Sequence, residues 1–191
     1  MIEQTQTDEQ LVQASLHDVN AFALLIERYE KKLQRYILRI SSFSPQEAEE
    51  VLQEVFLKAW KNLNEFNLSL KFSSWIYRIA HNQTISQFRK HRKGGQKEYQ
   101  VESELFDIIP DELDIPEQFD RQQRANLVRD SLKNLPKEYR EVLILRYFED
   151  KSYEEMSDIL MKPSGTVGVL LNRAKKSLKD FLKKSPVTLT L

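Results

Sequence analysis

The last third of the chain contains the pattern that most restricts the fold, because two helical segments follow each other there across a very short break. The first segment opens at Ser152, which together with Glu155 has the spacing of a capping box. Lys162-Pro163 ends that segment, and a second helix is predicted to begin at Ser164 or Gly165. Apolar residues form one stripe along the second helix: Val167, Leu170, Leu171, Ala174, Leu178, Phe181 and Leu182. The pattern predicts a helix-turn-helix.

The outer face of this second predicted helix is polar and basic. It carries Thr166, Asn172, Arg173, Lys175, Lys176 and Lys179. Two short helices joined by a tight turn, with a basic outer face on the second, form the arrangement that places a helix in the major groove of DNA. The alternative is an ordinary helical hairpin whose lysines are solvated. The segment favours DNA binding over that alternative.

Length and composition restrict the class of protein. A chain of 191 residues can form two small domains or one large one, and 40% hydrophobic with 30% charged residues indicates a globular protein. The chain has no cysteine, which excludes disulfides, cysteine-ligated zinc and thiol catalysis. It has neither a signal-peptide pattern nor a run of about 18 apolar residues. We therefore expect no membrane insertion and a cytoplasmic location.

The formal net charge is zero, but the charges are sorted along the chain. Residues 71–93 contain six Lys or Arg and no acid, and residues 98–120 contain nine Asp or Glu and no Lys or Arg. Residues 162–184 contain seven basic residues and one acid, Asp180. Two basic blocks separated by an acidic segment indicate two nucleic-acid contacts joined by a connector, although chance clustering on solvated faces is the alternative.

Strand signals are nearly absent, so the fold is predicted to be all-α. Asp18 is positioned to cap a long helix, and Ser44-Pro45 with Glu47 has the spacing that starts the next one. That next helix has an apolar stripe broader than one core contact requires: Ala48, Val51, Leu52, Val55, Phe56, Ala59 and Trp60. After a loop, a third long helix is predicted over about residues 72–92.

The predicted organisation is two small helical domains joined by an acidic linker. The first domain covers residues 1–94, the linker 95–116, the second domain 117–185 and a tail 186–191. In the second domain, helices are predicted from about Glu117 to Leu135 and from Lys137 to Phe148, with the helix-turn-helix packed on them. An apolar island interrupts the linker and is expected to dock on a domain or a partner: Leu105, Phe106, Ile108 and Ile109.

The third predicted helix combines aromatic and basic residues without an acid nearby. Its spacing groups four basic side chains roughly a turn apart: Arg78, His81, Arg89 and Arg92. Cations beside flat rings suit a DNA strand with exposed bases, where cations hold the phosphates and rings or pockets receive unstacked bases. For Trp75 and Ile79, a place in the hydrophobic core is the favoured alternative.

Several of these segments resemble the two domains shared by small bacterial sigma factors. The segments similar to domain two are Asp18…Ala21-Phe22…Arg28-Tyr29, Ala48-Glu-Glu-Val-Leu-Gln-Glu-Val-Phe-Leu-Lys-Ala-Trp60 and Phe72…Trp75-Ile-Tyr-Arg-Ile-Ala80-His-Asn82. Those similar to domain four are Leu135-Pro-Lys-Glu-Tyr-Arg-Glu-Val-Leu-Ile-Leu-Arg146 and Pro163-Ser-Gly-Thr-Val167. The chain has no room for a domain between them, and this resembles the extracytoplasmic-function (ECF) group.

The resemblance implies that core RNA polymerase and promoter DNA are the partners. The helix that starts at Ser44-Pro45 would bind a coiled coil in the largest polymerase subunit, and the polymerase flap is a further expected contact. The residues implied for the coiled coil are Glu49, Leu52, Gln53, Glu54 and Phe56. The acidic linker would run toward the active-site cleft, and an anti-sigma protein commonly restrains such factors.

The resemblance also implies two DNA contacts. Domain two would melt and read the downstream (-10) element as a single strand, using Asn67, Lys71, Ser73, Trp75, Tyr77, Arg78, His81, Asn82, Arg89 and Arg92. Domain four would read the upstream (-35) element as a duplex, using Ser152, Tyr153, Ser164, Thr166, Gly168, Asn172, Arg173 and Lys176. No catalytic residue, metal ligand or cofactor is expected.

Five positions depart from the pattern of the family. Gly168-Val169-Leu170 stand where Lys or Arg, a small polar residue and Arg are frequent, on positions that face or flank the groove. Ser86 replaces a frequent Asp, and Met161 stands where a turn glycine is common. Because phosphate and guanine contacts of arginine would be missing, we predict weak or unusual recognition of the upstream element.

Two other classes of function fit parts of the sequence. A stand-alone helix-turn-helix regulator would bind a palindrome as a dimer without any other protein. An adaptor would bind polymerase without reading DNA. An enzyme is not expected, because three scattered histidines, no phosphate-binding glycine loop and no metal-ligand spacing leave no candidate active site.

Overall fold

The computed structural model describes residues 6–92, 106 and 120–184. Within these residues the regular structure is helical and no β-strand occurs, so the all-α prediction is confirmed. The chain divides into two compact units, one formed by Met1–Glu98 with Asp158–Met161 and the other by Tyr99–Ser157 with Lys162–Leu191.

The helices of the first unit begin at the caps that the sequence predicts. They are α1 (Asp8–Ser15), α2 (Val19–Ile40), α3 (Pro45–Lys61) and α4 (Phe72–Arg92), with a 3-10 turn over Leu63–Glu65. The Asp18 carboxylate accepts from the amide of Asn20 at 2.9 Å, and Ser44 and Glu47 form a reciprocal capping box. The starts of α2, α3 and α4 are therefore as predicted.

Helix α1 has no counterpart in the sequence predictions. Thr7 and Gln10 form a capping box, in which the Thr7 hydroxyl accepts at 3.2 Å and the Gln10 amide oxygen accepts at 2.9 Å. Leu11 and Val12 are buried. Eight residues give too little periodicity to indicate a helix, but the Thr-x-x-Gln spacing ahead of an apolar pair is a signal that could have identified it.

The core of the first unit lies between α2, α3 and α4. Its fully buried side chains include Leu33, Tyr36, Ile37, Ala48, Val55, Ala59, Ile76 and Ala80. An aromatic cluster at one end of α4 joins Phe72 to Tyr29, Phe66 and Trp75, with ring centroids 5.6–5.8 Å from Phe72. Such tilted and edge-to-face contacts each contribute roughly 0.5–1.5 kcal/mol beyond burial. They fix the start of α4 against α2.

The second unit contains α5 (Arg121–Asn134), α6 (Lys137–Leu143), α7 (Tyr153–Leu160) as far as Ser157, and α8 (Ser164–Lys184). Asp120 caps α5 and accepts from the Gln123 amide at 2.8 Å. The sequence predicts one α-helix from Lys137 to Phe148, but its last five residues, Ile144–Phe148, have π-helical hydrogen bonding. The amide of Glu149 donates to the carbonyl of Ile144 at 3.2 Å, which ends this wider turn.

One residue of the predicted linker is described, and it docks on the second unit. Phe106 is 0% exposed, and its ring meets Phe148 edge-on with centroids 5.1 Å apart. The other members of the apolar island, Leu105, Ile108 and Ile109, lie outside the described residues. So do the rest of the linker, the predicted start of the second domain at residue 117, and the tail 186–191.

Candidate nucleic-acid and protein interfaces

An open apolar groove of about 590 Å³ lies between α2 and α3. Its lining is Val19, Phe22, Ile26, Glu30, Glu49, Leu52, Gln53, Phe56, Leu57 and Trp60. Leu57 is 52% exposed and Trp60 is 40% exposed, although Trp60 packs on Phe22 with centroids 5.0 Å apart. The unusual width of the apolar stripe on α3 is thus explained, since one edge of the stripe lies in the core and the other lines this groove.

Four of the five residues predicted to bind a protein partner line this groove: Glu49, Leu52, Gln53 and Phe56. The fifth, Glu54, lines a second depression of about 310 Å³ on the next face of α3, toward Gln87 of α4. Its lining includes two further acids, Glu47 and Glu50. Helix α3 therefore presents an apolar groove flanked by acidic side chains, a surface suited to a helical partner with apolar and basic residues.

The segment before α4 is a short polar turn. The side-chain oxygen of Asn67 accepts from the amide of Ser69 at 3.0 Å and from its hydroxyl at 2.8 Å. The amide of Leu70 donates to the carbonyl of Asn67 at 2.9 Å. Leu68, Leu70 and Lys71 are exposed. The predicted DNA-binding residues Asn67 and Lys71 thus lie at opposite ends of one turn, which we name the 67–71 turn.

Helix α4 has a polar face that follows one side of the helix. Asn82, Ser86 and Arg89 are exposed and Arg78 is half-buried, at intervals of three or four residues. We name these four residues the α4 polar stripe. Lys90 is exposed beside it. Ser86 belongs to the stripe although it was not among the predicted contacts. The side chain of Arg92 lies outside the described residues.

Two predicted DNA-binding residues of α4 are instead in the core. Tyr77 is 2% exposed and His81 is 8% exposed. The Tyr36 hydroxyl and His81 Nδ1 are 3.0 Å apart in a hydrogen bond, and the rings of Tyr36 and Tyr77 are 5.1 Å apart. His81 lies one turn from Arg78, but α2 packs against this side of α4, so His81 faces Tyr36 and the prediction that it contacts DNA is wrong.

Trp75 and Ser73 have intermediate positions. Trp75 is half-buried, with its ring 5.1 Å from Phe66 and 5.6 Å from Phe72, so it belongs to the aromatic cluster and still reaches the surface. Ser73 is half-buried in the first turn of α4. The core alternative therefore holds in part for Trp75, and Ile79 is also half-buried.

The second unit contains the predicted helix-turn-helix. Ser152 and Glu155 form the capping box at the start of α7, with bonds of 2.9 and 3.2 Å. In the turn, the Ser157 hydroxyl donates to the Lys162 carbonyl at 2.6 Å and the Thr166 amide to the Pro163 carbonyl at 2.8 Å. Met161 adopts the left-handed backbone, with φ of 53°, that a glycine would adopt without strain.

The exposed face of α8 carries most of the residues predicted to bind DNA. Ser164, Thr166, Asn172, Arg173 and Lys176 are exposed, Tyr153 of α7 is 40% exposed, and Ser152 is half-buried in its capping box.

The unusual segment of α8 is only partly at this surface. Gly168 and Leu170 are half-buried, and Val169 alone of the three is exposed, at 49%. A Cβ added at Gly168 would lie 3.7 Å from Cε1 of Tyr153, an ordinary contact. The expectation that all three positions face or flank the groove stays a prediction, since each of them is at least partly exposed.

These elements define a class: a two-unit helical protein with a helix-turn-helix in the second unit and an open apolar groove in the first. The family model of sigma-70 region 2 matches residues 25–94, and that of sigma-70 region 4 matches residues 125–178. The RNA polymerase sigma-H factor of Pseudomonas aeruginosa is 32% identical over 189 residues, which cover 96% of this chain and 97% of that protein. The chain belongs to the ECF RNA polymerase sigma factors.

A further relative and two solved structures are similar to this chain. The ECF RNA polymerase sigma-E factor of Haemophilus influenzae is 30% identical and covers 93% of this chain and 96% of that protein. CnrH, solved with the cytosolic domain of CnrY, matches with a TM-score of 0.70 at 20% identity, over 94% of this chain and 99% of that one. RpoE of Bartonella quintana, solved with the anti-sigma factor NepR, matches with 0.67 at 23%, over 86% and 98%. These two structures show the same fold.

Among residues 6–92 and 120–184, no helix is both long and apolar enough to span a membrane.

Proposed function

We propose that this sigma factor binds core RNA polymerase through the groove beside α3 and directs promoter-specific initiation through α4 and α8. Residues 1–94 form the polymerase-binding and promoter-opening domain, and residues 117–185 form the duplex-reading domain. The acidic segment 95–116 links them and 186–191 is a tail. The observation that carries the proposal is the pair of surfaces on the first unit: an open apolar groove and the α4 polar stripe. Both lie on helices whose inner faces pack in the core of that unit.

Polymerase binding uses the exposed edge of α3. Leu57 and Trp60 line the groove. A partner that covers them gains a binding free energy of roughly 25 cal/mol for each Å² of apolar surface removed from water. A tryptophan at the centre of such a groove is a frequent energetic anchor in interfaces. Glu49 and Glu54 favour a partner with basic side chains. The coiled coil of the largest subunit is the proposed occupant, and the flap is the proposed contact of the second unit.

Promoter opening uses the 67–71 turn and the α4 polar stripe. Arg78 and Arg89 bind phosphates of a single strand, and Asn82 and Ser86 lie between them to donate to bases or sugars. The partly exposed ring of Trp75 borders this stripe and offers a stacking surface, worth roughly 1–3 kcal/mol per base in single-strand complexes. This unit reads the -10 element. Tyr77 and His81 support the stripe from beneath.

Upstream recognition uses the start of α8. The exposed residues Thr166 and Val169 reach base edges of the duplex, and Arg173 and Lys176 bind phosphates. Tyr153 contributes from α7. This unit reads the -35 element, with an affinity lowered by the missing arginines.

Regulation and location follow from the same surfaces. An anti-sigma protein that covers the α3 groove would prevent polymerase binding, and we propose such a protein as a partner. The factor acts in the bacterial cytoplasm by binding alone, without a catalytic site or cofactor. The stand-alone dimeric regulator is not favoured, because it gives no role to the groove and the stripe of the first unit.

Run-off transcription on a randomised promoter library tests the proposal. With core polymerase and this chain, the selected templates should share a downstream element and a weaker upstream element at fixed spacing. Leu57→Asp should abolish selection by weakening polymerase binding, whereas Leu16→Asp, at an exposed leucine outside the groove lining, should not. Tight binding of the chain alone to a palindromic duplex, without core-dependent transcripts, would refute the proposal.

A further inference from the structure

Helix α1 is attached to the rest of the first unit through charged side chains as well as apolar ones. The Asp8 carboxylate bonds to the guanidinium of Arg28 and to the hydroxyl of Tyr29, both on α2. Burial of the phenol, reinforced by the bond to Asp8, raises the pKa of Tyr29 well above its usual range, so the hydroxyl stays a donor. Leu11 and Val12 are buried on the same helix. These contacts fix the orientation of α1.

The residue next to Asp8 reaches a different helix. Oε1 of Glu9 accepts a hydrogen bond from the backbone amide of Phe72 at 3.2 Å, across 63 positions of sequence. Phe72 is the first residue of α4, and the residue before it is Lys71, whose ammonium group donates and cannot accept. The first amide of a helix needs an acceptor, and negative charge there is favourable. Glu9 therefore performs for α4 the capping role that its own N-cap residue cannot.

The bonded amide lies where the 67–71 turn becomes helix. The ring of Phe72 is buried among Tyr29, Phe66 and Trp75, so backbone and side chain of this residue are held from two directions. Lys71 and Ser73, both assigned to DNA contact, are its immediate neighbours in sequence. A shift of the Phe72 amide would move both of them relative to the α4 polar stripe.

We infer that Glu9 is a positioning residue for reading the downstream element: it caps α4 from another helix and so fixes the 67–71 turn and the first turn of α4 in one arrangement. It does not touch DNA or polymerase. This inference rests on the proposed role of the turn in promoter reading.

Two variants separate the hydrogen bond from the charge. Glu9→Ala removes both, and Glu9→Gln keeps an acceptor oxygen without the charge. Glu27→Ala is the matched control, because it removes one carboxylate from an exposed position of α2. Amide hydrogen exchange on the full chain should be about fivefold faster at Phe72–Trp75 in Glu9→Ala, the size expected for a lost helix cap, and about twofold faster in Glu9→Gln. Glu27→Ala should leave it unchanged.

Transcription by the holoenzyme gives the second measurement. The preference for the selected downstream element over its single-base variants should fall about fivefold in Glu9→Ala and recover most of the way in Glu9→Gln, following the exchange rates. The dissociation constant for core polymerase should stay at the wild-type value, which a general loss of folding would not allow.

Unchanged exchange at Phe72–Trp75 in Glu9→Ala would overturn the capping role. Faster exchange with unchanged base preference would overturn the positioning role, as would an equal loss of preference in Glu27→Ala. If the wild-type holoenzyme selects no promoter at all, the proposed function fails and the positioning role fails with it, whereas exchange still decides whether Glu9 caps α4.

Discussion

Helices α4 and α8 have 21 residues each and are both proposed to contact DNA, but they present different chemistry. Helix α4 has a cation, Arg78, in its second turn, and polar residues follow at successive turns to Arg89. Helix α8 contains no Lys or Arg before Arg173, so its first turns show hydroxyls, two glycines and Val169. Cations give affinity for phosphates, whereas the first residues of a recognition helix select bases.

Because of this difference, we expect the two units to contribute unequally to promoter binding. The first unit has cations, polar groups and a partly exposed aromatic ring along α4, which suit its proposed contact with an opened strand. The second unit has small side chains where base contacts are proposed, and cations only further along α8. We therefore expect promoter affinity to depend mostly on the first unit, and the upstream element to add a smaller, shape-dependent contribution.

The largest effect is expected from removing the cations of α4. Arg78→Ala with Arg89→Ala should lower promoter opening about a hundredfold, since two phosphate contacts to a desolvated strand are lost at roughly 1–1.5 kcal/mol each. Permanganate reactivity of unpaired thymines with the holoenzyme measures opening directly. Polymerase binding should be unaffected, because neither residue lines the α3 groove.

A matching double substitution in α8 provides the comparison for this result. Arg173→Ala with Lys176→Ala should weaken protection of the upstream element about tenfold or less at the same salt concentration. Lys31→Ala, an exposed cation of α2, should change neither measurement. A larger effect of the α8 pair than of the α4 pair would reverse the proposed division between the units.

Adding a cation to α8 should reduce the difference between the helices. Gly168→Arg should strengthen upstream binding about tenfold, the value of one good contact to phosphate or guanine, because the Cβ fits beside Tyr153 and the side chain can extend to the surface. Gly168→Ala is the control, since it stabilises the helix by roughly 0.5–1 kcal/mol without adding charge. A footprint that is unchanged or weaker for Gly168→Arg would contradict the role given to this position.

Capping signals and helical periodicity made most of the fold predictable from sequence. Ser44-Pro45 with Glu47 and Ser152 with Glu155 mark helix starts that the structure reproduces. Helix α1 was missed because it is short and because its polar partners, Arg28, Tyr29 and Phe72, are distant in sequence. The π-helical segment Ile144–Phe148, which follows α6, has no local sequence signal that distinguishes it from an α-helix.

The surfaces were less predictable than the helices. Periodicity along α4 shows that Arg78 and His81 are close, but not that His81 is turned to Tyr36, since this depends on where α2 packs. The excess width of the α3 stripe was visible in the sequence, whereas the enclosing groove needed Val19, Phe22 and Ile26 of α2. The capping role of Glu9 could not be predicted from the sequence, because its partner is a backbone amide 63 positions away.

A smaller effect is expected in the turn of the helix-turn-helix. Met161 has a left-handed backbone and a side chain that is 69% exposed, so Met161→Gly removes strain and loses little burial. Stability should rise by roughly 1 kcal/mol, and the melting temperature by about 2–4 °C. Asp150→Gly is the comparison, since Asp150 has φ of 48° but aspartate tolerates this conformation better. An unchanged or lower melting temperature for Met161→Gly would show that the turn is not strained.

The smallest effect concerns Glu141, a buried acid of the second unit, whose surroundings differ from those of Asp8 in the first unit. Asp8 of the first unit bonds to Arg28 and Tyr29, whereas Glu141 of the second unit is buried with Lys137 3.5 Å away. Burial raises the pKa of Glu141 above its ordinary 4.5, and the attraction of Lys137 offsets only part of this. The native state therefore keeps a proton that the unfolded chain has released, so stability should fall as pH rises from 4.5 through the native pKa.

Glu141→Gln should remove this fall in stability with rising pH. Urea unfolding between pH 4 and pH 8, a range that begins just below the ordinary glutamate pKa of about 4.3–4.5, should show variant and wild type alike at the acid end and the variant more stable at the neutral end. Lys137→Met should steepen the loss with pH, because the attraction that lowers the pKa of Glu141 is gone. If the stability of the wild type instead rises relative to that of Glu141→Gln as pH rises, the charged carboxylate of Glu141 is net stabilising and the prediction is wrong.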